Sequence, residues 1–323
     1  MAAMLLINSI ASFLVAVLWR GIRNHVRGWS AASRASFIGT LRIVPVAIGL
    51  AAVVLLFAPA YLIHESRTDH EKVSVGLAIM AAFSAAGIAL ALWRAVLTWG
   101  VTSRLTDDWL QYAKPIRVAG IKIPTYEVEH QFPVIAIVGT FRPRLFIASR
   151  VMKTLKGDEL KAAINHEAGH LVHGDNLMRG LMRACRDSLL IIPCGRSLDA
   201  AWKEASEEAA DEHAVRTGAS AALDLASSLV KISRMIPAGK SASIPAGAFF
   251  VSRDDQGAVT TRVRRLLNLA HENRSFNDAG HNPRRATWLP IMLMVFVLGL
   301  ASSEPHVLSI THALIEEVVS ILN

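Results

Sequence analysis

Asn165-His166-Glu167-Ala168-Gly169-His170 carries the pattern H-E-x-x-H, and the rest of the chain is read outward from it. In an α-helix, residues i and i+4 stand one above the other. His166 and His170 then present two imidazoles to one side, close enough to hold one metal ion. Glu167 lies beside them, placed to take a proton from a nucleophilic water. The flanking residues agree with a helix. Asp158 reads as its N-cap, with Glu159 in the first turn. Leu160, Ala163, Ile164 and Leu171 form an apolar stripe, and Gly174 ends it.

Two imidazoles do not close a site. Catalytic zinc usually keeps three protein ligands and one open position. The best source of the third is Glu204-Ala-Ser-Glu207-Glu208-Ala-Ala-Asp211. Glu207 and Asp211 are spaced i, i+4 and share one helix face. One carboxylate on the metal, with a second holding a ligand imidazole, would complete such a site. The second group fixes the tautomer and raises the basicity of the ring. His173, seven residues after His166, lies on nearly the same face and competes as a ligand. Asp175 reads as the cap of the following helix. His213, Arg262 and Arg265 are candidate donors to a developing oxyanion.

The surroundings of this site are unusually apolar. Of 323 residues, 52% are hydrophobic and 19% charged, and the mean hydropathy is +0.37. That is too apolar for an ordinary soluble protein. Four uncharged stretches read as membrane spans: residues 1–19, 43–63, 73–93 and 286–303. The first lacks the basic start of a signal peptide. The net charge of +8 falls where spans meet the cytoplasm. Arg20, Arg23, Arg27, Arg34 and Arg42 separate the first two spans; Arg94 and Arg104 follow the third; Arg284 and Arg285 precede the fourth. Residues 64–72 hold only Arg67 and Lys72 among three acids, and residues 304–323 hold no Lys or Arg. The positive-inside rule gives one topology: both termini outside, with residues 20–42 and 94–285 in the cytoplasm. No basic block with interleaved aromatics occurs, so nucleic acid is not an expected partner. Cys185 and Cys194 form no framework and fit a reducing compartment.

Residues 94–285 contain the soluble-looking part. It begins as a mixed helical stretch to about Lys122. Strand patterns follow at 126–129, 134–138 and 144–148, with a hairpin loop at 139–143. The strand at 134–138, or its hairpin partner, is a candidate edge for a substrate added as a further strand. Helices are expected at 175–192, 197–216, 220–235 and 260–270, with a loop at 237–258 and a polar linker at 271–285. Residues 307–322 form an apolar tail helix suited to the outer membrane–water interface or to a partner.

H-E-x-x-H followed by E-x-x-x-D on a later helix resembles the gluzincin arrangement. The order is Pro143-Arg-Leu-Phe-Ile147, Leu155-x-x-Asp158-Glu159-Leu160, His166-Glu-Ala-Gly-His170, Gly174-Asp175-Asn176 and Glu207-Glu-Ala-Ala-Asp211. With three spans before it and one after, the chain resembles the BlaR/MecR family of integral-membrane metallopeptidases across residues 1–303. HtpX-type proteases share the motif order but place a hydrophobic hairpin between the two halves of the site. Here residues 171–206 carry Arg179, Arg183, Arg186 and Arg196.

The resemblance implies a mainly α, polytopic membrane protein. Three transmembrane helices lie within residues 1–99, an α+β zinc-protease domain spans 100–285, a fourth helix spans 286–303, and a short extracytoplasmic tail covers 304–323. It implies one zinc ion held by His166, His170 and Glu207, with Glu167 as general base and Asp211 behind a ligand imidazole. It also implies an inner-membrane location, a protein substrate (a transcriptional repressor or the enzyme itself) and a membrane sensor partner. The alternatives are HtpX-like quality control and a non-catalytic receptor or scaffold. BlaR/MecR receptors carry a large extracellular penicillin-binding sensor after the last span, whereas only 304–323 follows here. β-Lactam sensing is therefore not implied.

Overall fold

The computed structural model describes residues 2–64, 75–187, 195–236, 256–272 and 283–322. Cys194, nearly all of the 64–72 loop, most of the 237–258 loop and most of the 271–285 linker lie outside the described residues.

Helix α1, Ala2–Ile22, is followed by α2, Ala31–Ala52. The second helix begins twelve residues before the uncharged run at Ile43. Ser30 caps it by accepting a hydrogen bond from the Ser33 N–H at 3.3 Å. The expected 20–42 loop is thus largely helix. Its charges do not stop the helix, because acidic groups elsewhere receive them. Arg42 is buried and donates to Asp199 at 2.8 Å, and Arg34 pairs with Glu208. Pro45 is consequently an interior residue of α2 rather than one near its end. Beyond Ala52 a π-helical turn, Val53–Phe57, leads into α3, Ala58–His64. Pro59 explains the widened turn: its ring crowds the carbonyl four residues back, which lies within Val53–Phe57.

Helix α4 is one continuous element, Val75–Tyr112, far longer than the 73–93 span read from the uncharged run. Arg94, which ends that run, donates to Asp187 at 2.8 Å. The ranges Ala2–Ile22, Ala31–Ile63 and Ala78–Tyr112 are long and apolar enough to cross a bilayer, which marks a membrane-associated chain. Two further apolar helices, α11 (Pro283–Ser302) and α12 (Pro305–Leu322), meet at a 94° bend.

The remaining elements form the site-bearing body. Strands β1 (Lys114–Ile116), β2 (Thr125–Val128), β3 (Ile135–Val138) and β4 (Arg144–Ala148) make one sheet in the order β1-β2-β4-β3. β1 and β3 run antiparallel to their neighbours, and β2 pairs with β4 in parallel. β4 is interior, and Leu145, Phe146, Ile147 and Ala148 are all buried. β1 replaces the end of the expected helical stretch. Pro115 cannot donate to a ladder and is tolerated because β1 is an edge.

Then come α5 (Ser149–Thr154), α6 (Gly157–His173), α7 (Asp175–Asp187), α8 (Arg196–Ala214), α9 (Ala219–Met235) and α10 (Gln256–Glu272). Ala163 and Ile164 of α6, Leu225, Leu229 and Ile232 of α9, and Leu266 of α10 close a core over the sheet.

The start of α6 is held differently from the sequence reading. Lys156, not Asp158, is the N-cap, and the Glu159 carboxylate reaches back to accept from the Lys156 N–H at 2.8 Å. Glu159 also accepts from Lys231 and from Ser227, both at 2.7 Å. Burial opposes ionisation of Glu159, but these three donors outweigh it and hold the carboxyl at about 2, against an ordinary 4.5. A depressed carboxylate stabilises the fold above its unfolded pKa, and the gain fades as pH falls toward the folded value. Glu159→Gln is therefore expected to lose about 2 kcal/mol at pH 7, allowing for the partly exposed Lys231. The variant should also lose less stability than wild type between pH 4.5 and about 2. Thermal unfolding in detergent across that range checks both.

Two glycines set the path of α6. Gly174 ends it in the left-handed region, at φ 71°, and turns the chain back into α7. Gly169 lets α8 approach: a Cβ there would sit 2.9 Å from the Ala210 Cα. That contact brings Glu207 to the histidine pair.

Candidate metal centre

His166 and His170 project from α6 with rings 4.8 Å apart and nearly perpendicular, at 87°. Glu207 arrives from α8. Its Oε2 is 3.6 Å from His166 Nε2 and its Oε1 is 3.7 Å from His170 Nε2. Among the described residues these three form the one group whose ligand atoms, all within 4.8 Å of one another, suit a metal ion. Tetrahedral zinc with bonds of about 2.0–2.1 Å separates its donors by about 3.4 Å. The spacings to Glu207 match that geometry closely.

The other face of each imidazole is also held. His166 Nδ1 lies 2.9 Å from Asp211 Oδ1, and His170 Nδ1 lies 2.6 Å from Asp175 Oδ2. A carboxylate accepts only an N–H, so both rings carry their proton on Nδ1 when neutral and turn an Nε2 lone pair toward Glu207. Two imidazoles of fixed tautomer and one carboxylate are a zinc-type donor set. The residues present therefore fit that ion.

Asp175 is the partner the sequence reading missed. The sequence reads it as a helix cap, but its carboxylate holds His170 and accepts from Ser206 Oγ at 2.6 Å. No helical periodicity links it to His170, because Gly174 breaks the helix between them. The available signal is the glycine itself, which folds the next residue back onto the last turn. Asp175→Ala is expected to leave the fold in place and weaken metal binding by about 10- to 100-fold. Competition against a chromogenic chelator measures this.

Glu167 stays outside the donor group. It is 4% exposed, and its Oε2 accepts from the Ile137 N–H of β3 at 3.4 Å. Burial pushes its carboxyl up, and the nearby Glu207 charge adds to this against the opposing pull of His170 and His166. Glu207 behaves oppositely. Burial opposes its ionisation, yet His166, His170 and Arg262 hold it well below the usual range. Asp211, fully buried, is held at about 2 against the cost of burial by Arg262 and His166. For His166, burial and Arg262 disfavour protonation, but Asp211 and Glu207 outweigh them and lift it to about 9.

Arg262, from α10, is the cation that balances this cluster. Its Nη2 and Nε donate to the two Asp211 oxygens at 2.6 and 3.0 Å. Its Nη1 lies 3.1 Å from Glu207 Oε2. Of the three candidate oxyanion donors, Arg262 is the one seen to contact Asp211 and Glu207, and both carboxylates already engage it. Arg265 pairs with Glu212 and with the Glu208 carbonyl. His213 faces His173 at 6.2 Å between ring centroids, and neither ring is in the donor group.

β3 is an edge of the sheet, the position an added substrate strand would need, but its free side is partly engaged at Ile137. Both of its groups are already used: the N–H by Glu167, and the carbonyl by Asn176 Nδ2 at 3.1 Å. Beside His170 a cleft of about 270 Å³ opens between α2 and the β3–β4 hairpin, lined by Ala32, Ala35, Phe141, Met178 and Trp202 among others.

No protein-family model matches this chain, and no curated protein sequence matches it.

Proposed function

We propose that the chain is a polytopic membrane zinc endopeptidase working at the cytoplasmic face, similar in plan to the BlaR/MecR metallopeptidases. One observation carries this reading: two Nε2 atoms of fixed tautomer stand 3.6 and 3.7 Å from the oxygens of one carboxylate, with a buried glutamate beside them. His166, His170 and Glu207 would hold the ion. When bound, it supplies Lewis acidity, polarising a carbonyl and making water a competent nucleophile at neutral pH. Glu167 takes a proton from the attacking water at its carboxylate. It then delivers that proton to the amine as the C–N bond breaks. Asp211 and Asp175 keep the imidazoles in the ligating tautomer, and Arg262 keeps Asp211 and Glu207 ionised.

The topology that goes with this reading has four spans, both termini outside and the site inside. The arginine distribution supports it, with α11 as the fourth span and α12 turned along the outer surface. Regulated proteolysis of a cytosolic repressor, or of the enzyme itself, is favoured over general quality control by one contact. Arg34, on the cytoplasmic extension of a span, pairs with Glu208, the neighbour of ligand Glu207. A span moved by an outside signal or a sensor partner would pull directly on the ligand helix.

The test is cleavage by the purified chain in proteoliposomes. Zinc-loaded protein should cut an unstructured polypeptide, chelation should stop it, and added zinc should restore it. Cleavage that persists after chelator treatment would count against the proposal.

A further inference from the structure

The two ion pairs between α2 and α8 also fix how far the site lies from the bilayer. The helices run antiparallel, with Arg42–Asp199 as one rung and Arg34–Glu208 as the other. Beyond Arg42, α2 and its continuation carry no charged residue up to Ile63. At that level Ile43, Cys185 of α7 and Ile291 of α11 form a small apolar cluster. On the topology proposed above, the Arg42 rung stands at the cytoplasmic edge of the hydrocarbon. Eight residues separate Arg34 from Arg42 on α2, and eight separate Asp199 from Glu207 on α8. At 1.5 Å per residue along their axes, α8 puts Glu207 about 12 Å from that edge, and α2 puts Arg34, the partner of neighbouring Glu208, at about the same height. The cleft beside His170 opens on the same stretch, with Ala32, Ala35 and Ser36 of α2 as one wall. Phe141, 90% exposed, stands at its mouth on the hairpin.

We propose that the substrate is a polypeptide anchored in the same bilayer, cut in its cytoplasmic juxtamembrane segment. This rests on the protease reading and topology above and narrows them: it selects bilayer-anchored polypeptides, the enzyme itself among them, over a freely soluble repressor. An extended chain covers about 3.3 Å per residue, so about four residues bridge the edge of the hydrocarbon and the site. A chain leaving the bilayer along α2 runs into the cleft, whose near wall is that helix. Anchoring also raises the substrate's effective concentration at the site.

The experiment uses the full chain in zinc-loaded proteoliposomes with single-span reporters. Each reporter carries a degenerate cytoplasmic segment, joined to its span directly or through Gly-Ser spacers of increasing length; a soluble copy lacks the span. Products are mapped by mass spectrometry. The expected cut lies within about three to six residues of the anchor. Longer spacers should move the cut into the spacer or abolish it. The soluble copy should be cut at least about 100-fold more slowly. Chelator-sensitive cleavage of the soluble copy at an equal rate would overturn the proposal and leave the protease reading standing. Failure to cut either copy would remove both.

A second measurement needs no activity. A spin label at Thr140, with Cys185 and Cys194 replaced by Ala, is measured by pulsed EPR against labelled lipid headgroups. A distance under about 25 Å is expected from the helix rise, and one beyond about 40 Å would overturn the proposal.

Discussion

Glu167→Gln is expected to cut peptide-bond cleavage by about 1,000-fold while the protein keeps its metal and its fold. Glutamine has nearly the same shape, and its carbonyl oxygen can still accept from the Ile137 N–H, which lies 3.4 Å from Oε2 in the native site. It cannot take a proton from water. Nothing in the donor group changes, because Glu167 is not one of the three side chains placed to hold a metal ion. The loss should fall on kcat, with zinc content and melting temperature close to wild type. Initial rates with metal analysis on the same preparation decide it. Activity within tenfold of wild type would remove Glu167 from the chemistry.

Arg262→Met should have the largest effect on stability. The side chain keeps similar bulk and loses its charge. Asp211, fully buried, then loses both guanidinium hydrogen bonds, and Glu207 loses the 3.1 Å contact. Stranding one partner of a buried ion pair typically costs about 3–5 kcal/mol. The carboxylates would meet that cost partly by taking up protons. A protonated Asp211 no longer fixes the His166 tautomer, so metal affinity should also fall by about 10- to 100-fold. Arg262→Lys restores charge but cannot meet Asp211 through two nitrogens and Glu207 through a third, so only partial recovery is expected. Chemical unfolding and chelator competition on the three proteins check this. A methionine variant within about 0.5 kcal/mol of wild type would contradict the assignment.

The sequence was informative where helical periodicity speaks. His166 and His170, and again Glu207 and Asp211, are i, i+4 pairs, and the structure brings all four together. It was silent where a tertiary contact crosses a break. Asp175 reaches His170 only because Gly174 reverses the chain, and Arg262 meets Asp211 from 51 residues away. Helix limits failed for a related reason. An uncharged run ends at the first arginine, but Arg42 and Arg94 are carried within helices because Asp199 and Asp187 receive them. The apolar helices were legible in the hydropathy alone, whereas the length by which α2 and α4 extend past their uncharged runs depends on those partners. The strand β1 was hidden by Pro115, a residue that fits only an edge.

The central claim is that α6 and α8 together hold one metal ion, and metal stoichiometry with affinity tests it most directly. Wild-type protein titrated with zinc should bind one ion per chain, and His166→Ala, His170→Ala and Glu207→Ala should each lose it at concentrations that saturate wild type. Circular dichroism on the same samples shows that the helices remain. A folded Glu207→Ala variant that binds zinc with wild-type stoichiometry and affinity would contradict the account.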